Sequence, residues 1–315
     1  MAELLEELLH EQRTRFAAID PLLPALIQPP VEPPAGEVLT ANVPGGGQVI
    51  GVLTRTEHPP GTLPSLWSAR EVFELHPLVG AAGGDGMRAL LARWRQLAGP
   101  SELPAGDTAC LINWPSRDVT ATRALLDHGF TPLSVLAVLH PLRPTETVAV
   151  QGVSTRLATE RDLEQATELA MAELEYSALV GGAIRRADAE SLKRAALSYR
   201  LRAGDPVWLA EVDGAAVGLI ECRIQLSTVD GTRAWPLPPG SWAYLNCLSV
   251  LPRERGRGIG RLLTAVAHRA LYAAGARSSH LFYNPPNPIS SAFWPRHGYR
   301  PLWTTWEVRP ASALR

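Results

Sequence analysis

The chain has 315 residues, 46% of them hydrophobic, and its 30 basic and 31 acidic side chains leave a net charge of −1. That length exceeds one typical domain and suggests two cores, while the balanced charge excludes a general nucleic-acid or membrane-surface binder. Cys110, Cys222 and Cys247 are odd in number and show no paired spacing, so neither a disulfide framework nor a metal site is indicated, and buried free thiols are expected.

The N-terminus carries Glu3, Glu6 and Glu7 where a signal peptide would be basic, and no apolar run approaches membrane-spanning length, so a cytoplasmic protein with no membrane contact is expected. Leu4, Leu5, Leu8, Phe16, Ile19, Leu22 and Leu23 recur among charges, the pattern of one or two amphipathic helices that Pro29 and Pro30 stop. Strands at 37–43 and 48–54 flank Pro44-Gly45-Gly46-Gly47, a hairpin signal. A third strand at 68–75 leads into a glycine-rich loop, Gly80 to Gly86, and a helix at 87–97. A strand at 108–113, a helix at 119–127 and His128-Gly129-Phe130 precede a closing strand at 135–139.

Residues 144–152 read as a linker, after which a strand at 153–157 and Thr159 with Asp162 signal a helix start at 163. A second helix is expected at 188–202, with a glycine-containing loop at 176–186 before it. Strands at 207–212 and 216–224 meet at Asp213-Gly214, a type I′ turn pair, and the proline-rich stretch 227–240 reads as a loop. The most informative stretch follows. An apolar strand at 244–250 runs into Arg253 to Gly260, and Ile259, Leu262, Leu263, Val266, Ala267, Ala270 and Leu271 then mark a helix with one buried face that ends at Gly275. Glycines at a helix N-terminus let an anion approach unpaired backbone N–H groups, and Arg253, Arg255, Arg257 and Arg261 add positive charge. Neither a P-loop nor a dinucleotide-binding spacing is present.

Strand, glycine loop and helix recur in the same order in both halves, and His128-Gly129-Phe130 matches His297-Gly298-Tyr299, so the chain reads as two copies of one fold. The expected division is a helical segment at 1–30, a degenerate copy at 31–146 and a ligand-binding copy at 147–315. Ala81 stands in the first copy where Arg255 stands in the second, and Asp85 adds a negative charge to the first loop.

Arg255, Gly258 and Gly260 fit the Arg/Gln-x-x-Gly-x-Gly/Ala pattern of the GCN5-related N-acetyltransferases, and Asn287, Trp294, Gly298 and Tyr299 sit where that family shows Asn, Tyr, Gly and Phe. The chain thus resembles this family, in a tandem arrangement similar to that of the mycothiol synthases. The resemblance implies two α/β domains, each a mixed, mostly antiparallel twisted sheet flanked by helices. It also implies acetyl-CoA as co-substrate, held by Leu248, Ser249 and Val250 at a splayed strand edge, by Arg255, Gly256, Arg257, Gly258, Ile259, Gly260 and Arg261 in the loop, and by Asn287 and Trp294. Asn287 is equally a helix cap with Pro288 at the first helical position.

Acyl transfer to an amine needs a base for the ammonium and a proton for the leaving thiolate. No carboxylate stands in the strand before the loop, so Asn246, by holding a water, and Glu221, from the preceding strand, are the candidates for the first task; alternation equally allows Glu221 to be an exposed partner of Arg223. Trp294 replaces the expected Tyr and an indole N–H cannot release a proton, leaving Tyr283, His297 or solvent for the second task. Pro295 predicts a broken or very short helix around 289–297. The expected function is N-acylation of a small primary amine by a monomer or homodimer; a protein N-terminus or lysine acceptor, or an acyl-CoA-binding protein without turnover, are the alternatives.

Overall fold

The computed structural model describes residues 2–23, 36–102, 106–143, 149–228 and 237–315. Residues 144–148 of the expected linker and most of the proline-rich stretch lie outside the described residues. The first half runs α1 (Ala2–Ile19), β1 (Glu37–Asn42), β2 (Gln48–Glu57), β3 (Glu71–Leu78), α2 (Gly83–Glu102), β4 (Thr108–Pro115), α3 (Val119–Asp127) and β5 (Thr131–Leu139). The second runs β6 (Ser154–Leu157), α4 (Leu163–Leu179), α5 (Ala189–Ala203), β7 (Val207–Val212), β8 (Ala215–Ser227), β9 (Gly240–Val250), α6 (Ile259–Ala273), β10 (Ser278–Tyr283), α7 (Pro288–Arg296) and β11 (Arg300–Val308). Among the described residues no helix is long and apolar enough to cross a membrane.

All strands join one sheet in the order β1-β2-β3-β4-β11-β5-β10-β9-β8-β7-β6. Exchanging β1 to β5 with β7 to β11 leaves this order unchanged except for β6, and the pairings follow: β3–β4 and β9–β10 are both parallel, while β11–β4 and β10–β5 are both antiparallel. The molecule therefore has a local twofold running between β5 and β11, which pair with each other. The closing strands are exchanged, β11 completing the sheet of the first half and β5 that of the second. The first half packs its core around Phe16, Met87, Trp94 and Trp114, the second around Leu263, Leu271, Leu281 and Tyr299.

Local chemistry accounts for the elements. Asp213 and Gly214 take φ of 50° and 79°, the left-handed pair that a two-residue turn between β7 and β8 requires. Thr159 and Asp162 form a reciprocal capping box ahead of α4. Asn287 caps α7, accepting from the N–H groups of Ile289 and Ser290, with Pro288 at the first position. Contrary to the sequence expectation, Pro295 does not break this helix: α7 is an unbroken nine-residue element. Pro295 sits in its last turn, where a missing N–H removes one hydrogen bond and the fixed φ still suits a helix.

The pairing of β8 with β9 passes from Glu221↔Cys247 to Cys222↔Leu245, so Asn246 is the extra residue of a β-bulge. Alternation along β8 still puts Glu221 on the face of Leu219 and Arg223, but α5 covers that face at Glu221. Glu221 is not an exposed partner of Arg223; it is buried, 3.2 Å from the Arg200 Nε atom.

Candidate active site

β9 and β10 are paired only from Trp242↔Ser278 to Leu245↔Leu281. Beyond Leu245, β9 continues to Val250 with its edge turned to a cavity of about 490 Å³ that Leu248, Ser249 and Val250 line on one side and Phe282 and Tyr283 on the other. A parallel pair that parts in this way exposes backbone donors and acceptors to whatever enters.

At the end of β9 the chain turns through Pro252–Glu254 and reaches α6 by way of Gly256 and Gly258, with φ of 82° and 89°. Gly258 is the N-cap residue, no side chain caps α6, and its first turn carries no acidic residue. The N–H groups of that turn are thus available to an anion, assisted by the positive end of the helix dipole. Arg255 is held against this mouth, its Nε donating to the Val250 carbonyl at 3.0 Å and its guanidinium lying 5.3 Å from the Tyr176 ring centre. A Cβ on Gly260 would lie 3.4 Å from the Phe293 ring, so glycine here lets α7 close over the loop.

The cavity is also lined by Glu173, Tyr176 and Ser177, one face of α4 at spacings of three and four. Burial pushes the Glu173 carboxyl above the ordinary carboxylate value, while Lys193 and a 2.6 Å hydrogen bond from the Ser177 hydroxyl pull it the other way. Lys193, buried on α5, is also 5.6 Å from the ring centre of Trp67 in the first half. Asn246 Nδ2 donates to Glu221 Oε2 at 2.9 Å. Burial raises the Tyr283 phenol and lifts the Cys247 thiol well above its ordinary value, so Cys247 is a protonated wall residue and no nucleophile.

The first half instead holds the loop that follows α4. The Ile184 N–H donates to the Leu66 carbonyl at 2.8 Å, and Arg186 donates to the Ser65 carbonyl and pairs with Asp107. The loop after α4 is therefore anchored on the first half as well as on Asn284 at the end of β10.

Residues 165–299 match the family model described as the Acetyltransferase (GNAT) family. The matched stretch runs from the first turn of α4 to the end of the turn after α7. Over most of its length the chain also has the fold of a GCN5-related N-acetyltransferase from Sphaerobacter thermophilus, with a TM-score of 0.54, 16% identity, and coverage of 87% of this chain and 82% of that one. It is similar as well to a tandem GNAT protein from the clavulanic acid biosynthesis pathway (TM-score 0.47, 19% identity, 96% and 95% covered). Half of the chain is similar to an aminoglycoside N-acetyltransferase in complex with CoA (TM-score 0.39, 20% identity, 50% and 92% covered).

Of the residues expected from the sequence, the structure places Asn246, Leu248, Ser249, Val250, Arg255, Gly256, Gly258, Ile259, Gly260, Arg261, Tyr283, Asn287 and Trp294 on the cavity. Glu221 and Arg257 are not on its wall. Glu221 lies behind Asn246, and Arg257 pairs with Glu254 and donates to the Gln151 carbonyl. His297 points its Nδ1 at the Phe293 carbonyl instead, at 2.8 Å. Sequence reasoning missed Glu173, and it read Tyr176 and Ser177 as part of a loop beside the acceptor pocket where the structure has them on α4. Their helical spacing was a usable signal, but only the tertiary packing of α4 over β9 turns that face toward the cavity.

Proposed function

We propose that the protein transfers an acetyl or other acyl group from a CoA thioester to the primary amine of a small molecule, by direct attack in a ternary complex, at one working site within residues 147–315. The observation that carries this reading is the parting of β9 from β10 above an uncapped, glycine-led helix N-terminus. These features fit the ligand: the strand edge offers partners to the pantetheine amides, and the α6 N-terminus with Arg255 and Arg261 offers charge to the pyrophosphate. The bound thioester supplies the acyl group.

The chain's own groups then divide the remaining work. Glu173 accepts the proton of the incoming ammonium; its raised pKa makes it a stronger base than an ordinary carboxylate while leaving it ionisable. Asn246, anchored by Glu221, orients the amine or the water beside it. Tyr283 keeps its proton at neutral pH and can donate it to the departing thiolate, a task that buried Trp294 cannot perform.

The test is release of free thiol from acetyl-CoA in the presence of a panel of small amines and of peptides with free N-termini or lysines. Thiol release driven by one class of small amine is the expected result. A clear thermal shift with CoA but no amine-dependent release across the panel would sink the transfer reading, and release driven only by peptides would sink the small-molecule one.

A further inference from the structure

The local twofold that relates β9–β10 to β3–β4 also repeats the splay. β3 and β4 are paired only from Glu71↔Thr108 to Glu74↔Leu111, while β3 runs on to Leu78. In the second half the matching edge faces the cavity. In the first it faces α1.

The contacts α1 makes there are polar and fall on the groups that the splay leaves over. The Gln12 carboxamide donates to the Pro77 carbonyl at 3.1 Å and accepts from the Val79 N–H at 2.8 Å, so one amide satisfies a carbonyl and an N–H of the open edge. Gln12 is 3% exposed. One residue earlier, a Glu11 carboxylate oxygen accepts from the Ala81 N–H at 2.9 Å, in the loop that matches Arg253 to Gly260. One turn on, Arg15 forms a two-pronged pair with Asp118, the N-cap of α3 and the counterpart of Asn287 on α7. Glycines make room: a Cβ on Gly83 would lie 2.6 Å from an Arg15 nitrogen, and one on Gly80 would lie 2.9 Å from the Leu8 side chain. Phe16 fills the deep end, edge-on to Trp114 at 5.3 Å and to Trp303 at 5.7 Å.

An amphipathic helix that merely covered a core would present apolar groups to this edge. Here an amide meets a strand edge and a carboxylate meets a glycine loop, in the same order along the cleft that the pantetheine and pyrophosphate would have in the second half. Asp85, expected to repel a pyrophosphate, is 70% exposed and paired with Arg88, so its charge does not close this cleft.

We infer that the first half keeps a pantetheine-binding cleft whose ligand is the chain's own N-terminal helix, Gln12 standing for a pantetheine amide and Glu11 for the pyrophosphate. This rests on the reading of the second cleft as a CoA site. Two consequences follow: the intact chain takes one CoA, and the first cleft accepts a pantetheine-bearing ligand once α1 is disengaged.

The test is calorimetric titration with CoA of four full-length proteins. The unmodified chain should bind one equivalent and Gly258→Glu none. Leu8→Ser/Glu11→Ala/Gln12→Ala should bind two, and the combination of all four substitutions one. A combined variant that melts cooperatively and binds nothing would overturn the inference, as would one full equivalent retained by Gly258→Glu alone. No binding by the unmodified chain would instead count against the second-half site. Should the triple variant fail to fold, Gln12→Ala in the Gly258→Glu background is melted with and without free pantetheine: a higher Tm with pantetheine, absent when Gln12 is intact, supports the inference, and no rise overturns it.

Discussion

Asn246 and Glu221 are joined by a 2.9 Å hydrogen bond that exists because Asn246 is the extra residue of a bulge in β9. The carboxylate is buried and paired with Arg200, so it holds the amide from behind while the amide stands on the cavity wall. The two residues accordingly fail in different ways. Asn246→Ala should lower kcat by about 10- to 100-fold, the usual scale for losing one positioning contact, with the CoA-induced thermal shift unchanged. Glu221→Ala leaves the Arg200 charge with Asp205 alone, 4.0 Å away, and should lower the denaturation midpoint.

Glu173 links activity to pH. Its folded-state pKa lies above the ordinary carboxylate value, so acidification protonates it sooner, and kcat/KM should fall on the acid side at a higher pH than an ordinary glutamate would impose. The same shift has the opposite sign for stability: the favourable contribution is present below the unfolded pKa and is lost as pH rises through the folded one. Glu173→Gln should therefore abolish the acid limb and most of the turnover while raising Tm at neutral pH. Unchanged turnover in this variant would remove Glu173 from the mechanism.

Lys193 faces Glu173 from α5 and draws its pKa down. Replacing it with Met should move the acid limb of the pH profile to higher pH, with little change in CoA affinity. A profile that stays in place would show that the ammonium serves packing alone.

The two glycine loops should answer substitution differently. A Cβ on Gly258 meets nothing closer than Val150 at 3.6 Å, so Gly258→Glu is tolerated by the fold apart from strain at its positive φ, and its carboxylate should abolish CoA binding. A Cβ on Gly84 would lie 2.7 Å from the Thr120 carbonyl oxygen. Gly84→Ala should lower Tm by several degrees and leave the CoA titration intact. Equal effects of the two substitutions on CoA binding would contradict the asymmetry of the copies.

Tyr283→Phe removes a phenol that stays protonated at neutral pH. A fall in kcat with unchanged KM for the thioester is expected, about 10-fold or more if the phenol supplies the proton. No change would leave that step to solvent.

Much of the second half was legible because its signals are local. The Asp213-Gly214 turn, the Thr159–Asp162 box, the Asn287 cap and the Arg255 to Gly260 loop each depend on residues a few positions apart. Most of the misreadings are long-range. Alternation put Glu221 on an exposed face with Arg223, and the packing of α5, which brings Arg200 onto it, buries it instead. Glu173 has no local mark, and only the packing of α4 over β9 turns it toward the cavity. Pro295 was weighed as a helix breaker when its cost in a final turn is a single hydrogen bond. The exchange of β5 and β11 has no local mark, since both strands are apolar enough to sit in either sheet.

That exchange makes the tandem architecture hard to undo. Each sheet is completed by a strand borrowed from the far end of the other copy, so the chain is in effect a strand-swapped pair made covalent, and neither repeat owns all of the edges it buries. A gene fragment encoding one repeat would leave a neighbouring strand unpaired, an invitation to pair with another molecule. Heating the intact chain should then unfold both repeats together, so that damage to the half without a working site silences the half that has one.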